Sequence, residues 1–214
     1  MRTLLTAAAT AAAALAFAAT GEAQKPKPVT LKASAGTVTF STPVTLTGSV
    51  QGEKGGVTVA LERRATTSAT FVPAGTAITD AKGDFSFTER PRVNTAYRVI
   101  AATTPPATSA EVTTAVAPLV GFKVGDSTPR KGQRVRFRGS VRPPHDGLRV
   151  AIQRKRADGT WRTVASPRLR DAGSVHSVYS RRLRIRRNGT YRTVLAAHAD
   201  HVQGTSRERT LTVH

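Results

Sequence analysis

The chain has 214 residues and carries 33 lysines and arginines against 13 aspartates and glutamates, a formal net charge of +20. It contains no cysteine, which excludes a disulfide framework, so each small domain must be held by an apolar core of its own. The few carboxylates leave little material for a general acid/base site.

Residues 1–24 read as a secretory signal. Arg2 is a minimal positive region, Leu4 to Ala19 is a short Ala-rich apolar run, and Ala16-Phe17-Ala18 and Gly21-Glu22-Ala23 are small-residue cleavage patterns. A retained anchor helix is the alternative, although the run is short for a membrane span, and no later stretch qualifies as one. With no cysteine after the apolar run, a lipoprotein anchor is excluded. No carboxy-terminal sorting signal is present either, so we expect an extracellular or cell-surface-associated chain that is released or retained by non-covalent contacts. The remaining 190 or so residues fit two modest domains at roughly 100 residues each.

Those residues contain a tandem repeat. "VTLTGSV" (Val44 to Val50) returns as "VRFRGSV" (Val135 to Val141), and "VALERR" (Val59 to Arg64) as "VAIQRK" (Val150 to Lys155), both at an offset of 91. Asp80-Ala81 returns as Asp171-Ala172, and "YRVIAA" from Tyr97 returns as "YRTVLAA" from Tyr191. A repeat has to be found first, because missing it misreads the fold. It predicts one unit over residues 25–117 and a second over 118–214, divided where Pro118 interrupts the end of the first copy.

Within each copy, short runs alternate with period two between turn residues, the pattern of an all-β sandwich. In the first copy Val44, Leu46 and Val50 oppose Thr45, Thr47 and Ser49, and Val57, Val59 and Leu61 oppose Thr58, Ala60 and Glu62. In the second, Val135 and Phe137, then Leu148, Val150 and Ile152, are expected on the buried face. Gly48 and Gly139 fall at matching strand positions and predict a bulge or a close backbone approach. Asp80-Ala81-Lys82-Gly83 predicts a type I turn, and Asp158-Gly159 a hairpin. Tyr97 and Tyr191 each follow a turn, as the phenol of a tyrosine corner would; a half-buried strand tyrosine is the alternative. No segment after residue 24 sustains a helical period.

These pieces resemble the immunoglobulin-like repeats of exported and surface proteins in high-GC Gram-positive bacteria. "VTLTGSV", "VALERR", "TDAKGDFSF" and "TAYRV" carry the resemblance in copy one, and "VRFRGSV", "VAIQRK", "GTW" and "GTYRTV" carry it in copy two. "TDAKGDFSF" is also similar to a turn of carboxypeptidase-regulatory-like and collagen-adhesin B-type sandwiches. The resemblance implies two tandem immunoglobulin-like antiparallel β-sandwiches that serve as stalks, adhesins or accessory modules. It carries over no catalytic residue.

Charge separates the copies. Residues 25–116 hold 10 basic and 6 acidic side chains, whereas residues 117–214 hold 22 and 6. Arg134, Arg136 and Arg138 alternate with Val135 and Phe137, and Arg182, Arg184 and Arg186 alternate with Leu183 and Ile185. Immunoglobulin-like topology would make these two strands neighbours, placing six guanidinium groups on one outer face. Copy one has Thr45 and Thr47 at the positions of Arg136 and Arg138. The expectation is a polyanion-binding face for a wall polymer, an anionic lipid headgroup, DNA or a glycan, against a solvated basic face as the plain alternative. Arg149, Arg154, Lys155 and Arg156 would extend it or lie on the other sheet. Arg181 falls where alternation would bury it and predicts a bulge or a shifted register. With no recognition helix and few aromatics, sequence-specific nucleic-acid reading is not expected. Trp161 is expected to pack at its hairpin.

Chemistry finds little support. His198, Asp200 and His201 form an H-x-D-H cluster that lacks a further ligand, and His145-Asp146 reads as turn chemistry, so no metal site and no cofactor are expected. Asp171, Ser174 and His176 have the residue types of a hydrolase triad but lie within one loop, where a triad needs separate elements. The sequence therefore points to a non-enzymatic binding module. A structural or protein-interaction module with incidental charge is the alternative.

Overall fold

The computed structural model describes Lys25 and residues 27–214; the predicted export signal, residues 1–24, lies outside the described residues. The first copy holds β1 (Lys32–Ala33), β2 (Thr37–Thr39), β3 (Val44–Ser49), β4 (Thr58–Ala65), β5 (Val72–Ile78), β6 (Asp84–Glu89), β7 (Thr95–Ala101), β8 (Ala107–Thr108) and β9 (Val112–Ala117). The second holds β10 (Leu119–Val120), β11 (Lys123–Val124), β12 (Arg134–Arg142), β13 (Val150–Lys155), β14 (Trp161–Ala165), β15 (Arg170–Asp171), β16 (Ser177–Arg184), β17 (Gly189–Leu195), β18 (Gly204–Thr205) and β19 (Arg209–Leu211). No helix occurs among the described residues.

Each copy is a two-sheet immunoglobulin-like sandwich. In the first, the sheet β1-β3-β6 faces the sheet β2-β9-β7-β4-β5, with β8 beside β7. In the second, β10 and β11 flank β12, which is followed by β16 and β15, while the facing sheet runs β14-β13-β17 with β18 and β19 beyond β17. All pairings are antiparallel except β2 with β9. Strands up to β9 pair only among themselves, as do strands from β10 onward; Pro118 stands between the two sets.

The alternation in sequence accounts for the cores. Leu46, Val59, Leu61, Phe85, Tyr97 and Val99 converge from both sheets of the first copy. Val135, Phe137, Val150, Ile152, Tyr179, Tyr191 and Leu211 do so in the second. Burying each such side chain contributes about 1.5–3 kcal/mol. Leu148 departs from the expectation and is 39% exposed. Gly147 takes φ +83 and the Leu148 amide bonds back to His145 O at 3.2 Å, so Leu148 completes a turn and the strand begins at Val150.

At Gly48 and Gly139 the structure selects close approach over a bulge. A Cβ on Gly48 would stand 2.0 Å from Thr30 O, and one on Gly139 would stand 1.9 Å from Gly121 O. The ring across the strand, Phe85 or Tyr179, lies against each glycine. The predicted turns form as well: Gly83 N donates to Asp80 O at 2.9 Å, and the Asp80 carboxylate accepts from Lys82 N and Asp84 N. Those two backbone bonds hold the Asp80 carboxyl below its ordinary pKa. Asp158 does the same for Thr160 in the β13–β14 hairpin.

The tyrosine corner does not form. Tyr97 is fully buried and its hydroxyl has no partner; desolvation by burial pushes its pKa up to about 12. Tyr191 packs edge-on against Phe137, ring centroids 5.1 Å apart. The pinning phenol is Tyr179, on β16, whose hydroxyl donates to Gly121 O and lies beside Thr193 Oγ1, each at 2.9 Å.

Candidate functional site

The sheet order makes β12 and β16 neighbours, and their register decides which cations meet. Arg134 stands opposite Arg184, Arg136 opposite Arg182, and Arg138 opposite Ser180. These five arginines are solvent-exposed while Val135, Phe137 and Tyr179 between them are buried, so the guanidinium groups share the outer face. Arg186 is not among them: β16 ends at Arg184, and Arg186 lines a separate cleft with Arg154, Arg187 and Tyr191.

Two cations that sequence reasoning missed complete the patch. Lys123, on β11, pairs with Arg138 from the side away from β16, and Arg170, on β15, pairs with Val178. Lys123, Arg136, Arg138 and Arg170 ring an open depression of about 790 Å³ that also takes in Gly121, Gly139 and Tyr179. The alternation of Phe122 (buried) with Lys123 (exposed) was the signal that could have placed Lys123 on this face.

Across a sheet, like charges cost roughly 0.2–1 kcal/mol per pair. Among the described residues, no lysine or arginine of the second copy forms an ion pair with a carboxylate to offset that cost. Four of its six acidic groups are engaged elsewhere: Asp126 with Thr128 N and Gln133, Asp146 with Ser177, Asp158 with Thr160, and Asp171 with Gly173 N. Within the patch, Arg136 Nε donates to Ser180 Oγ at 2.9 Å, a neutral contact that orients the group and leaves its charge available.

The other basic residues lie elsewhere. Arg154 and Lys155 belong to β13 in the facing sheet, where Arg154 donates to Asn188 O. Arg149 donates to Ser166 O, and Arg156 is exposed beyond the end of β13. Trp161 lies in the hairpin beneath Arg192, 4.1 Å from the guanidinium carbon to the ring centre, with Lys155 Nζ at 5.7 Å. Arg181 requires a correction: the β12–β16 register runs without a break from Arg134 to Val141, and Arg181 stands opposite Phe137 on the inward side. It reaches solvent because β15, its outer neighbour, is only two residues long, leaving an open sandwich edge through which a long side chain can extend its charged head.

Asp171, Ser174 and His176 are not joined: the Asp171 carboxylate accepts from Gly173 N, Ser174 is exposed, and His176 Nδ1 has no partner. Among the described residues no helix is long and apolar enough to cross a membrane.

Neither a protein-family model nor a curated protein matches the chain. Solved structures do match. One is a tetra-tandem repeat from the extending region of a large adhesion protein, at 17% identity and TM-score 0.37, covering 86% of this chain and 49% of that one. An ICAM-5 ectodomain fragment matches at 14% identity and TM-score 0.44, covering 89% and 54%. Murine CEACAM1b matches at 13% identity and TM-score 0.36, covering 87% and 100%. The chain spans about half the length of the first two. These are likenesses of fold alone.

Proposed function

We propose that this chain is an exported, non-enzymatic surface module of bacterial immunoglobulin-like type. Its second sandwich attaches electrostatically to an anionic polymer, and its first is a spacer. The observation that carries this reading is the face of β12 and β16, where Arg134 and Arg136 oppose Arg184 and Arg182 with no carboxylate partner among the described residues. Guanidinium groups form bidentate forks with phosphate, sulfate and carboxylate, so a phosphate-bearing wall polymer fits the face, with DNA, an anionic headgroup or a sulfated glycan offering the same chemistry. Arg138 extends the ladder, whereas Arg186 stands apart from it in the cleft with Arg154 and Arg187.

The test compares the wild-type chain with Arg136→Thr/Arg138→Thr/Arg182→Thr for retention on a phosphodiester wall polymer, DNA and heparin across a salt series. Each removed phosphate contact should lower the log–log salt slope by about one, so the triple variant should lose a slope of roughly three on the natural ligand. Equal retention of both proteins, or retention that ignores salt, overturns the reading.

A second reading rests on β5, an edge strand of the first copy with Ile78 69% and Val72 48% exposed. Such an edge could pair with a strand of a protein partner, with little response to salt. Pro73 within β5 and the register shift between Leu61 and Glu62 blunt that edge, which is why we place this reading second.

A further inference from the structure

Outside the arginine face, three histidines meet. His145 comes from the turn between β12 and β13, and His198 and His201 come from the turn after β17. That turn is closed by mutual backbone bonds, His198 N to His201 O at 3.0 Å and His201 N to His198 O at 3.2 Å. The ring centroids lie 4.7, 4.9 and 5.3 Å apart. One nitrogen from each ring lies within 4.8 Å of the others.

Their hydrogen bonds set which nitrogens carry lone pairs. His145 Nδ1 stands 2.7 Å from Pro143 O and His198 Nδ1 3.2 Å from Ala196 O. A ring nitrogen facing a carbonyl must donate, so Nε2 of both rings is left as an acceptor. His198 Nε2 is buried without a hydrogen-bond partner and lies 3.3 Å from Asp200 Oδ1. His201, 2% exposed, directs Nε2 at Arg92 O and Nδ1 at Asp200 Oδ1, both at 2.9 Å. If Nε2 carries the ring proton for Arg92, two lone pairs confront each other across the Nδ1–Asp200 contact. That arrangement needs something positive between them, either a second ring proton or a metal ion in its place.

We propose that His145, His198 and His201, with the Asp200 carboxylate, form a binding site for a divalent transition-metal ion of the zinc class. Three imidazoles and a carboxylate are a borderline donor set suited to Zn²⁺, Ni²⁺ or Co²⁺ and poorly suited to Mg²⁺ or Ca²⁺. The carbonyls of Pro143 and Ala196 orient two of the rings as outer partners do in metal sites. Zn–N bonds of about 2.0–2.1 Å require the nitrogens to draw together to roughly 3.4 Å in a tetrahedral arrangement, a short inward movement of side chains carried on turns. Asp200 and His198 remain partly exposed, at 41% and 23%, and give an entry route.

The site also has a position that matters. The turn bearing His198, Asp200 and His201 is the one that touches the first sandwich, through His201 to Arg92 O, Asn94 N to Asp200 O, and Val202 N to Val116 O. A bound ion would tie that turn to the His145 turn and stiffen the junction between the two copies.

The test is calorimetric titration of the tag-free full chain with ZnCl₂, and separately with MgCl₂, at neutral pH. We expect one zinc per chain and no magnesium binding, with zinc affinity falling by more than about tenfold in His145→Gln and in His198→Gln. Neither substitution touches the bond from His201 to the first copy. Co²⁺ added to the wild-type chain should give the visible absorption of a tetrahedral nitrogen-rich site, a readout that needs no variant. Absence of stoichiometric zinc binding, an octahedral Co²⁺ spectrum, or unchanged affinity in both variants overturns the site and leaves a proton between His201 and Asp200.

Discussion

The two sandwiches bury the same pattern and treat charge in opposite ways. In the first, four ion pairs, Lys27–Glu53, Arg63–Glu89, Arg64–Glu111 and Arg98–Glu62, neutralise much of a modest charge. At the outward positions of β3 and β6, Thr45 opposes Thr88 and Thr47 opposes Ser86. In the second, the equivalent positions place Arg136 opposite Arg182 and Arg138 opposite Ser180, with no carboxylate paired to any cation among the described residues. Since the threonine face folds, the scaffold does not require the arginines. Features common to both copies belong to folding, and the arginine face lies outside that shared set.

The largest effect should come from what the copies share. Gly48 and Gly139 both stand where a Cβ would overlap a backbone carbonyl, and a backbone atom cannot swing aside as a side chain can. Gly48→Ala and Gly139→Ala should each destabilise the copy that carries it by about 3 kcal/mol, the upper range for an overfilled site. Calorimetric unfolding of the full chain would read this as a lowered transition for one copy. A mild effect in either copy would break the equivalence on which the comparison rests.

The buried tyrosines sharpen it next. Tyr97 keeps a hydroxyl with no partner in the core, so Tyr97→Phe should leave the first copy as stable or raise its stability by about 1 kcal/mol. Tyr179→Phe removes the bond to Gly121 O and the contact with Thr193 and should cost the second copy about 1–2 kcal/mol. Denaturant titrations with equal slopes would measure both, and the same sign in both copies would contradict these hydrogen-bond assignments.

Much of this was legible in the sequence because it depends on local period and on the repeat. Alternation places Leu46, Phe137 and their neighbours inside, and the recurrence of Gly48 at Gly139 marks a shared steric constraint. The outer arginines were legible for the same reason, since Arg134, Arg136 and Arg138 cannot point inward while Val135 and Phe137 do. Features set by long-range placement were not. Lys123 joins the patch through a two-residue edge strand, where the alternation of Phe122 with Lys123 gives its face but not its neighbour on β12. Arg181 reaches solvent because of the width of its sheet edge, which no alternation encodes. His145 lies more than 50 residues from His198, and the two meet only because two turns close against each other. The tyrosine corner failed because a phenol's partner depends on loop backbone whose path the sequence does not specify.

The smallest effect is also the most direct test of the contrast. If the arginine face is an addition to a neutral scaffold, it should be transferable. Thr45→Arg/Thr88→Arg would build one opposed pair on β3 and β6, at the position of Arg136 and Arg182. The graft should cost the first copy only about 0.2–1 kcal/mol, the repulsion of one like-charged cross-strand pair. The reverse change, Arg136→Thr/Arg182→Thr, should return a similar amount to the second copy. Both shifts should shrink in high salt, because these side chains are exposed and their repulsion is screened over about 10 Å at 0.1 M. Thermal unfolding of the two double variants at low and high salt would separate this repulsion from a packing effect, which salt would leave in place. A graft that unfolds the first copy would mean that β3 and β6 require their hydroxyl pairs, and the difference between the copies would then reflect folding as well as binding.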